Sequence, residues 1–136
     1  MRSVDECRII NLPRHRDDRG SLTFVESPLV PFDIRRVYYI YDMPVGVTRG
    51  AHGHRRLEQL MIAVAGSMNV ELDDGRAKRA FHLSSPDQGL YIPPMMWRAL
   101  TGFAVGSVGV ILASEKYDEA DYFRDYAAFL AAVNET

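Results

Sequence analysis

The chain is predicted to fold as one all-β barrel or sandwich closed by a single C-terminal helix, and three observations carry that prediction. Between Leu22 and Ser114, short β-branched and aromatic runs recur, separated by Gly, Pro and Asp, at the spacing of an antiparallel barrel. Asp73-Asp74-Gly75 stands between two alternating runs, and its glycine accepts the positive φ that a tight hairpin demands. After Tyr117 the period changes: Tyr122, Phe123, Tyr126, Phe129, Leu130 and Val133 recur at three and four residues, the signature of one helical face.

Taken in order, the runs 22–26, 35–41, 60–65, 67–72, 77–83, 89–92 and 107–113 read as strands. The helix is expected over 118–133, with Asp118, Glu119 and Asp121 at its start, where carboxylates suit the positive end of the helix dipole. Its aromatic stripe is read as a packing face against the barrel.

With 136 residues and 47% hydrophobic content, residues 1–136 make one domain with an ordinary core. Sixteen basic residues against 18 acidic ones leave no cationic field of the kind that neutralises phosphates along a nucleic acid, so nucleic-acid partners are not expected. Cys7 is the only cysteine and no N-terminal leader pattern is present, which predicts a cytoplasmic address. The longest apolar stretch, 60–65, is far below the ~20 residues that span a bilayer, so no membrane partner is expected.

The chemistry is expected at His52-Gly53-His54. Residues two apart on a strand share a face, so the two imidazoles converge. Gly46, His52, His54, Glu58 and Gly66 together resemble the first motif of the cupin superfamily, with one extra residue before the last glycine. The resemblance implies a jelly-roll β-barrel with a small-molecule pocket in its mouth. Arg49, Arg55 and Arg56 around the pair suit an anionic ligand, although a solvated strand end explains them as simply. In metal-binding cupins a second motif supplies another histidine, and here Arg98 occupies that place. A guanidinium has no lone pair to give and its charge opposes a cation, so no metal is expected.

Longer strings resemble one cupin branch, the nucleotide-sugar 3,4-ketoisomerases that act on dTDP-4-keto-6-deoxyglucose. They are DRGSL (18–22), PFDIRRVYYIYD (31–42), RGAHGHRRLEQ (49–59), LDDG (72–75) and YDEADY (117–122), with Ser85-Pro86, Gly89-Leu90-Tyr91 and Trp97 between them. The resemblance implies an isomerase without metal or cofactor, a dTDP-linked ketosugar as ligand, and a homodimer in which residues 1–20 are exchanged between subunits.

It also implies roles. His52 is the base that removes the C3 proton, and His54 stabilises the enediolate or shuttles protons, with the reverse assignment left open; a histidine near its ordinary pKa of ~6.5 suits both tasks. Tyr38, rather than Tyr39, faces the pocket and bonds the sugar or a moving proton. Arg36 on the same side binds pyrophosphate, as does the patch at Arg49, and Arg19 beside the DRGSL turn is a further pocket residue. Arg98 favours a gluco-configured 3-keto product, whereas Arg19 follows the galacto-producing pattern. Three alternatives remain: a metal-dependent cupin enzyme using His52, His54 and Glu58, a nucleotide-sugar epimerase, and a non-catalytic sugar-binding barrel. His15 and His82 are read as solvated, and Met95, Met96 and Trp97 as packing.

Overall fold

The computed structural model describes residues 2–135. Its strands are β1 (Arg8–Asn11), β2 (Arg14–Asp17), β3 (Gly20–Thr23), β4 (Arg36–Ile40), β5 (Arg49–His54), β6 (Gln59–Ala65), β7 (Met68–Asp73), β8 (Lys78–Leu83), β9 (Gln88–Ile92), β10 (Trp97–Thr101), β11 (Val108–Ala113) and β12 (Tyr122–Phe123). One α-helix, α1, runs over Tyr126–Asn134. Two five-stranded antiparallel sheets, ordered β1-β9-β6-β11-β4 and β12-β5-β10-β7-β8, face each other as a jelly roll. The all-β fold class read from the sequence is the one observed.

Alternation on these strands sorts the side chains. Ile40, Met61, Leu90, Ile92 and Ile111 from one sheet meet Met68, Val70, Leu72, Leu83 and Leu100 from the other in the main core. The opposite parity of the first sheet supplies Leu60, Ile62, Tyr91 and Leu112, which are covered by Leu12, Val30 and Phe32 in a second cluster. The core fills one end of the sandwich, and β4, β5 and β10 carry polar side chains inward at the other.

The predicted hairpin forms. Asp73 Oδ1 accepts the Gly75 amide at 2.7 Å, Asp74 Oδ1 accepts those of Arg76 and Ala77, each at 2.8 Å, and Gly75 has φ +93°. Asp74 Oδ2 also accepts the Val4 amide at 2.9 Å, which ties the N-terminal 3-10 turn to the barrel.

The helix differs from expectation: it starts at Tyr126, not at 118. Glu119–Asp121 is a 3-10 turn capped by Asp118, and Tyr122–Phe123 is a strand paired with His54 and Gly53. Aromatic residues suit a pleated edge as well as a helix face, and the amides and carbonyls of this segment are taken by β5. Asp125 then caps α1 by accepting the Ala128 amide at 3.1 Å. Phe123, Phe129 and Val133 still bury together against Trp97, so the aromatic stripe does pack on the barrel as expected. Strands β1, β2, β5 and β10 were not among the predicted runs, although His52-Gly53-His54 was read as extended; they are short or interrupted by charge or glycine, which weakens the alternation signal. Among the described residues no helix is long and apolar enough to cross a membrane.

Gly66, the last glycine of the cupin-like motif, turns β6 into β7 at φ +68°. A Cβ there would overlap the Ser107 side chain and come within 2.8 Å of its Cα. Ser107 Oγ accepts the Ser67 amide at 3.0 Å, so little room exists for retreat. Gly66→Ala is expected to destabilise the fold by ~2–3 kcal/mol through strain and overlap; an unchanged urea midpoint would contradict this.

Candidate active site

The site is assembled by cross-strand register. His52 on β5 lies opposite Arg98 on β10, and Tyr38 on β4 lies opposite Ile111, whose other neighbour is Met61 on β6. Their inward side chains line a cavity of ≈ 200 Å³, with Arg49, Leu100 and Arg124 at its rim. Tyr38 faces in, whereas Tyr39 is 62% exposed on the other side of β4, as alternation requires.

The polar groups form one chain of contacts. Arg98 is 3% exposed and donates from Nη2 to His52 Nε2 at 2.8 Å and to Tyr38 Oη at 3.2 Å. Gln59 Nε2 donates to the same Tyr38 oxygen at 2.7 Å. The Arg36 guanidinium stacks 5.0 Å over the Tyr38 ring. Arg36 Nε, Arg98 Nε and Arg98 Nη1 are buried without an acceptor, and neither arginine joins an ion pair among the described residues. Buried cations ordinarily carry paired carboxylates, so donors left open in this way define an anion site.

His54 lies behind His52 rather than on the cavity wall. It is 4% exposed, its ring sits 4.9 Å from that of His52 and 4.4 Å from that of Tyr122, and its Nε2 has no partner. Both imidazoles are neutral. Burial, and then the Arg98 charge, hold the His52 pKa down at about 3, and the same two causes bring His54 to about 2. The ordinary histidine value expected from sequence is therefore not the one the site provides.

The C-terminal segment roofs the mouth. Asp121 accepts the Arg56 amide at 2.9 Å and the Leu57 amide at 3.2 Å, and its carbonyl accepts the Arg55 amide at 2.9 Å. Tyr122 thereby sits over both histidines, and the Arg124 guanidinium lies 4.1 Å above the Tyr122 ring. Glu119 takes Arg124 in a fork, at 3.0 Å to Nε and 2.8 Å to Nη2, and the Tyr117 hydroxyl bonds the same carboxylate. Arg124 holds the exposed Glu119 carboxyl well below its ordinary range.

Of the residues singled out by sequence, His52, Tyr38, Arg49 and Arg98 line one cavity, and His54 and Arg36 stand immediately behind it. Arg19 does not join them within one chain: its exposed side chain pairs with Asp17 at 2.7 Å in the β2–β3 hairpin. Arg55 and Arg56 turn outward, to the Phe123 ring and to Asp118. Glu58 also faces away, accepting the Tyr91 hydroxyl at 2.7 Å on the far side of the sheet. His52, His54 and Glu58 thus do not converge, and no group of three His, Cys, Asp or Glu side chains suited to a metal occurs among the described residues. Trp97 packs against Tyr126 and Phe129, Met96 is in the core, and His82 is exposed beside Asn69.

Sequence reasoning missed Gln59, Tyr122, Glu119 and Arg124. Gln59 carried a signal: it is polar yet shares the inward parity of Met61 and Ala63. The two-residue spacing of Tyr122 and Arg124 was hidden by the helical period of their neighbours.

A jelly roll whose mouth holds paired neutral histidines, an inward tyrosine and a buried arginine without a carboxylate partner belongs with the cupin-type enzymes that rearrange anionic sugars. The family model described as "FdtA: WxcM-like, C-terminal" matches residues 5–134. The TDP-4-oxo-6-deoxy-α-D-glucose-3,4-oxoisomerase of Aneurinibacillus thermoaerophilus is 42% identical over 133 residues, covering 95% of this chain and 96% of that one. A mutant of the 3,4-ketoisomerase QdtA from Thermoanaerobacterium thermosaccharolyticum, solved with TDP-4-keto-6-deoxyglucose, is 37% identical with a TM-score of 0.92, over 95% of this chain and 94% of that one. The TDP-quinovose 3,4-ketoisomerase WlaRB from Campylobacter jejuni is 46% identical with a TM-score of 0.88, over 92% and 97%. The chain belongs to this FdtA-type family, which includes sugar 3,4-ketoisomerases.

The two depressed histidines set a pH dependence. The unfolded chain binds protons at its histidines near pH 6.5 while the folded site resists until about pH 3 or below. The unfolded state therefore holds more protons across that window, and stability falls as pH drops through it. The urea midpoint is expected to be lower at pH 5 than at pH 7.5, an interval above the titration of most carboxylates; equal midpoints would contradict it.

Proposed function

We propose that the protein converts dTDP-4-keto-6-deoxyglucose to a dTDP-3-keto-6-deoxyhexose through an enediol, without metal or cofactor. The observation that carries this is the cavity itself: His52, Tyr38 and Arg98 in mutual contact, with buried guanidinium donors that no carboxylate satisfies. At ≈ 200 Å³ the cavity is smaller than the roughly 300 Å³ at which drug-sized pockets begin, so it suits a sugar ring with the nucleotide lying along the mouth.

His52 removes the proton from C3, whose acidity comes from the adjacent carbonyl. The C3–H electrons form the C3=C4 bond and the carbonyl pair moves onto O4. Arg98 and Tyr38 stabilise that oxygen, because donors already aimed into a dry site are worth more than the same donors in water. The O3 proton passes to O4, C4 takes a proton, and the carbonyl re-forms at C3. His54 acts through His52 and Tyr122 rather than on the sugar, since it stands behind the cavity wall. Arg49 and Arg124 at the rim take the pyrophosphate, with Arg36 holding Tyr38 in place. Burial is the larger cause of the low His52 pKa and the arginine charges the smaller; an anion among these arginines offsets the second, so substrate binding makes the base stronger to that extent.

Arg98 favours the gluco product, because a guanidinium is too weak an acid to hand a proton to C4. The resemblance to a TDP-quinovose ketoisomerase supports the same choice. The metal-dependent alternative lacks its ligand set, as Glu58 is engaged by Tyr91 on the opposite face of the sheet.

The protein is further proposed to be a cytoplasmic homodimer that exchanges residues 1–20, the partner's segment taking the place that β1 holds beside β9 within one chain. Two observations support the dimer: the β2–β3 hairpin is exposed nearly throughout, and Val37, Tyr39 and Val64 leave an apolar strip on the first sheet uncovered. Exchange would carry Arg19 to the partner's mouth and give it the pocket role that one chain denies it.

EDTA-treated protein incubated with dTDP-4-keto-6-deoxyglucose in deuterated buffer is expected to yield a 3-keto product with deuterium at C4, seen by NMR. His52→Asn should lower turnover by ~10²–10⁴-fold with the fold intact. An unchanged rate, or activity that appears only with added metal, would overturn the assignment. Light scattering should give twice the chain mass, and Tyr39→Glu should lower it; a monomeric wild type would remove the dimer.

A further inference from the structure

Arg98 touches His52 at Nε2, one of the two ring nitrogens through which it can act as a base. Nη2 lies 2.8 Å from Nε2, and the two residues are direct partners across β5 and β10, so the sheet sets the two side chains against each other while the guanidinium keeps its own freedom to turn. A guanidinium can only donate. The Nε2 atom must therefore accept, which makes the ring neutral with its proton on Nδ1. Protonation at Nε2 would set two N–H groups against each other.

The remaining Arg98 donors, Nε and Nη1, are buried without acceptors. One side chain thus covers the base's lone pair with one nitrogen and offers two further nitrogens to an oxygen that is not yet there. From the geometry we infer that Arg98 is a positioning residue for His52: it holds the Nδ1–H tautomer and masks Nε2 until a substrate oxygen draws the guanidinium away.

This inference rests on the ketoisomerase reading for its consequence, though not for its geometry. When O4 enters and accepts from Arg98, Nη2 leaves Nε2, and the freed lone pair takes the C3 proton. The C3–H pair becomes the C3=C4 bond, O4 gains the carbonyl pair, and the new charge on O4 stands against Arg98 while the proton stands on His52. The base is uncovered only when the oxygen that must be stabilised is already held. An empty site then has no active base with which to attack a wrong ligand.

The groups facing His52 are Arg49 and His54 from β5, Tyr38 from β4, Arg98 from β10, Tyr122 from β12, and Arg124 with Glu119 from the C-terminal segment. Among those close to the ring, Arg98 is the one bonded to Nε2. Glu119 is already engaged by Arg124 and Tyr117. No carboxylate is therefore placed to fix the opposite tautomer through that atom.

The test uses ligand-free protein labelled with ¹⁵N at histidine, with long-range ¹⁵N–¹H spectra that report which ring nitrogen carries the proton. In the wild type His52 is expected as the neutral Nδ1–H tautomer from pH 8 down to about pH 5, well below the ordinary histidine midpoint. Arg98→Met should release Nε2, giving a mixture with Nε2–H and a titration shifted upward toward the ordinary value. Arg98→Lys, which keeps a donor, should restore the Nδ1–H form in part. A wild-type His52 found as Nε2–H, or a tautomer that Arg98→Met leaves unchanged, overturns the inference. Because no substrate is present, this result is separate from the turnover assay: inactivity toward the ketosugar would remove the function and leave the tautomer lock standing.

Discussion

A buried positive charge without a carboxylate is the constraint on which the rest of this molecule depends. Arg98 is almost fully removed from solvent and is bonded to two neutral partners, His52 and Tyr38. Such a charge is costly in a barrel interior, and the sandwich bears it only by keeping the surrounding imidazoles neutral. Burial first, and then this charge, depresses the two histidines, and the open donors of Arg98 come from the same placement. Stability is given up so that an anion entering the mouth recovers it.

The same barrel pattern that holds metals in other cupins is redirected here by a few choices. Arginine at 98 puts a cation where a ligand would stand, and Glu58 is turned to Tyr91 by the strand's alternation. What remains of the histidine motif is a pair of neutral imidazoles of which only the His52 ring meets the cavity. The second histidine and Tyr122 form a wall behind it, which limits how far the first ring can move.

Much of this was legible in the chain. Period two and the Asp-Asp-Gly turn gave the strands and the central hairpin because both are local signals. Alternation put one of Tyr38 and Tyr39 inward and the family resemblance chose Tyr38, while the spacing of His52 and His54 put both on one face. What stayed hidden depends on pairing between distant strands. That Arg98 bonds His52 follows from the β5–β10 register, and that Tyr122 begins no helix follows from its pairing with His54. The stripe from Tyr122 to Val133 satisfied helical spacing although its first two members are extended. Arg19 was placed by resemblance, and nothing in its local sequence says whose mouth it serves.

The roof of the mouth has a consequence for how the protein is made. Asp121 clamps Arg56 and Leu57 across a separation of about 65 residues, beside the point where β12 pairs with β5. During synthesis the histidine strand therefore emerges long before the segment that covers it, and pairings of such sequence separation form slowly. The nascent barrel passes through a stage in which its walls exist and the imidazoles of His52 and His54 are still washed by water. Maturation of the pocket is a late event, set by arrival of the C-terminal segment rather than by formation of the core.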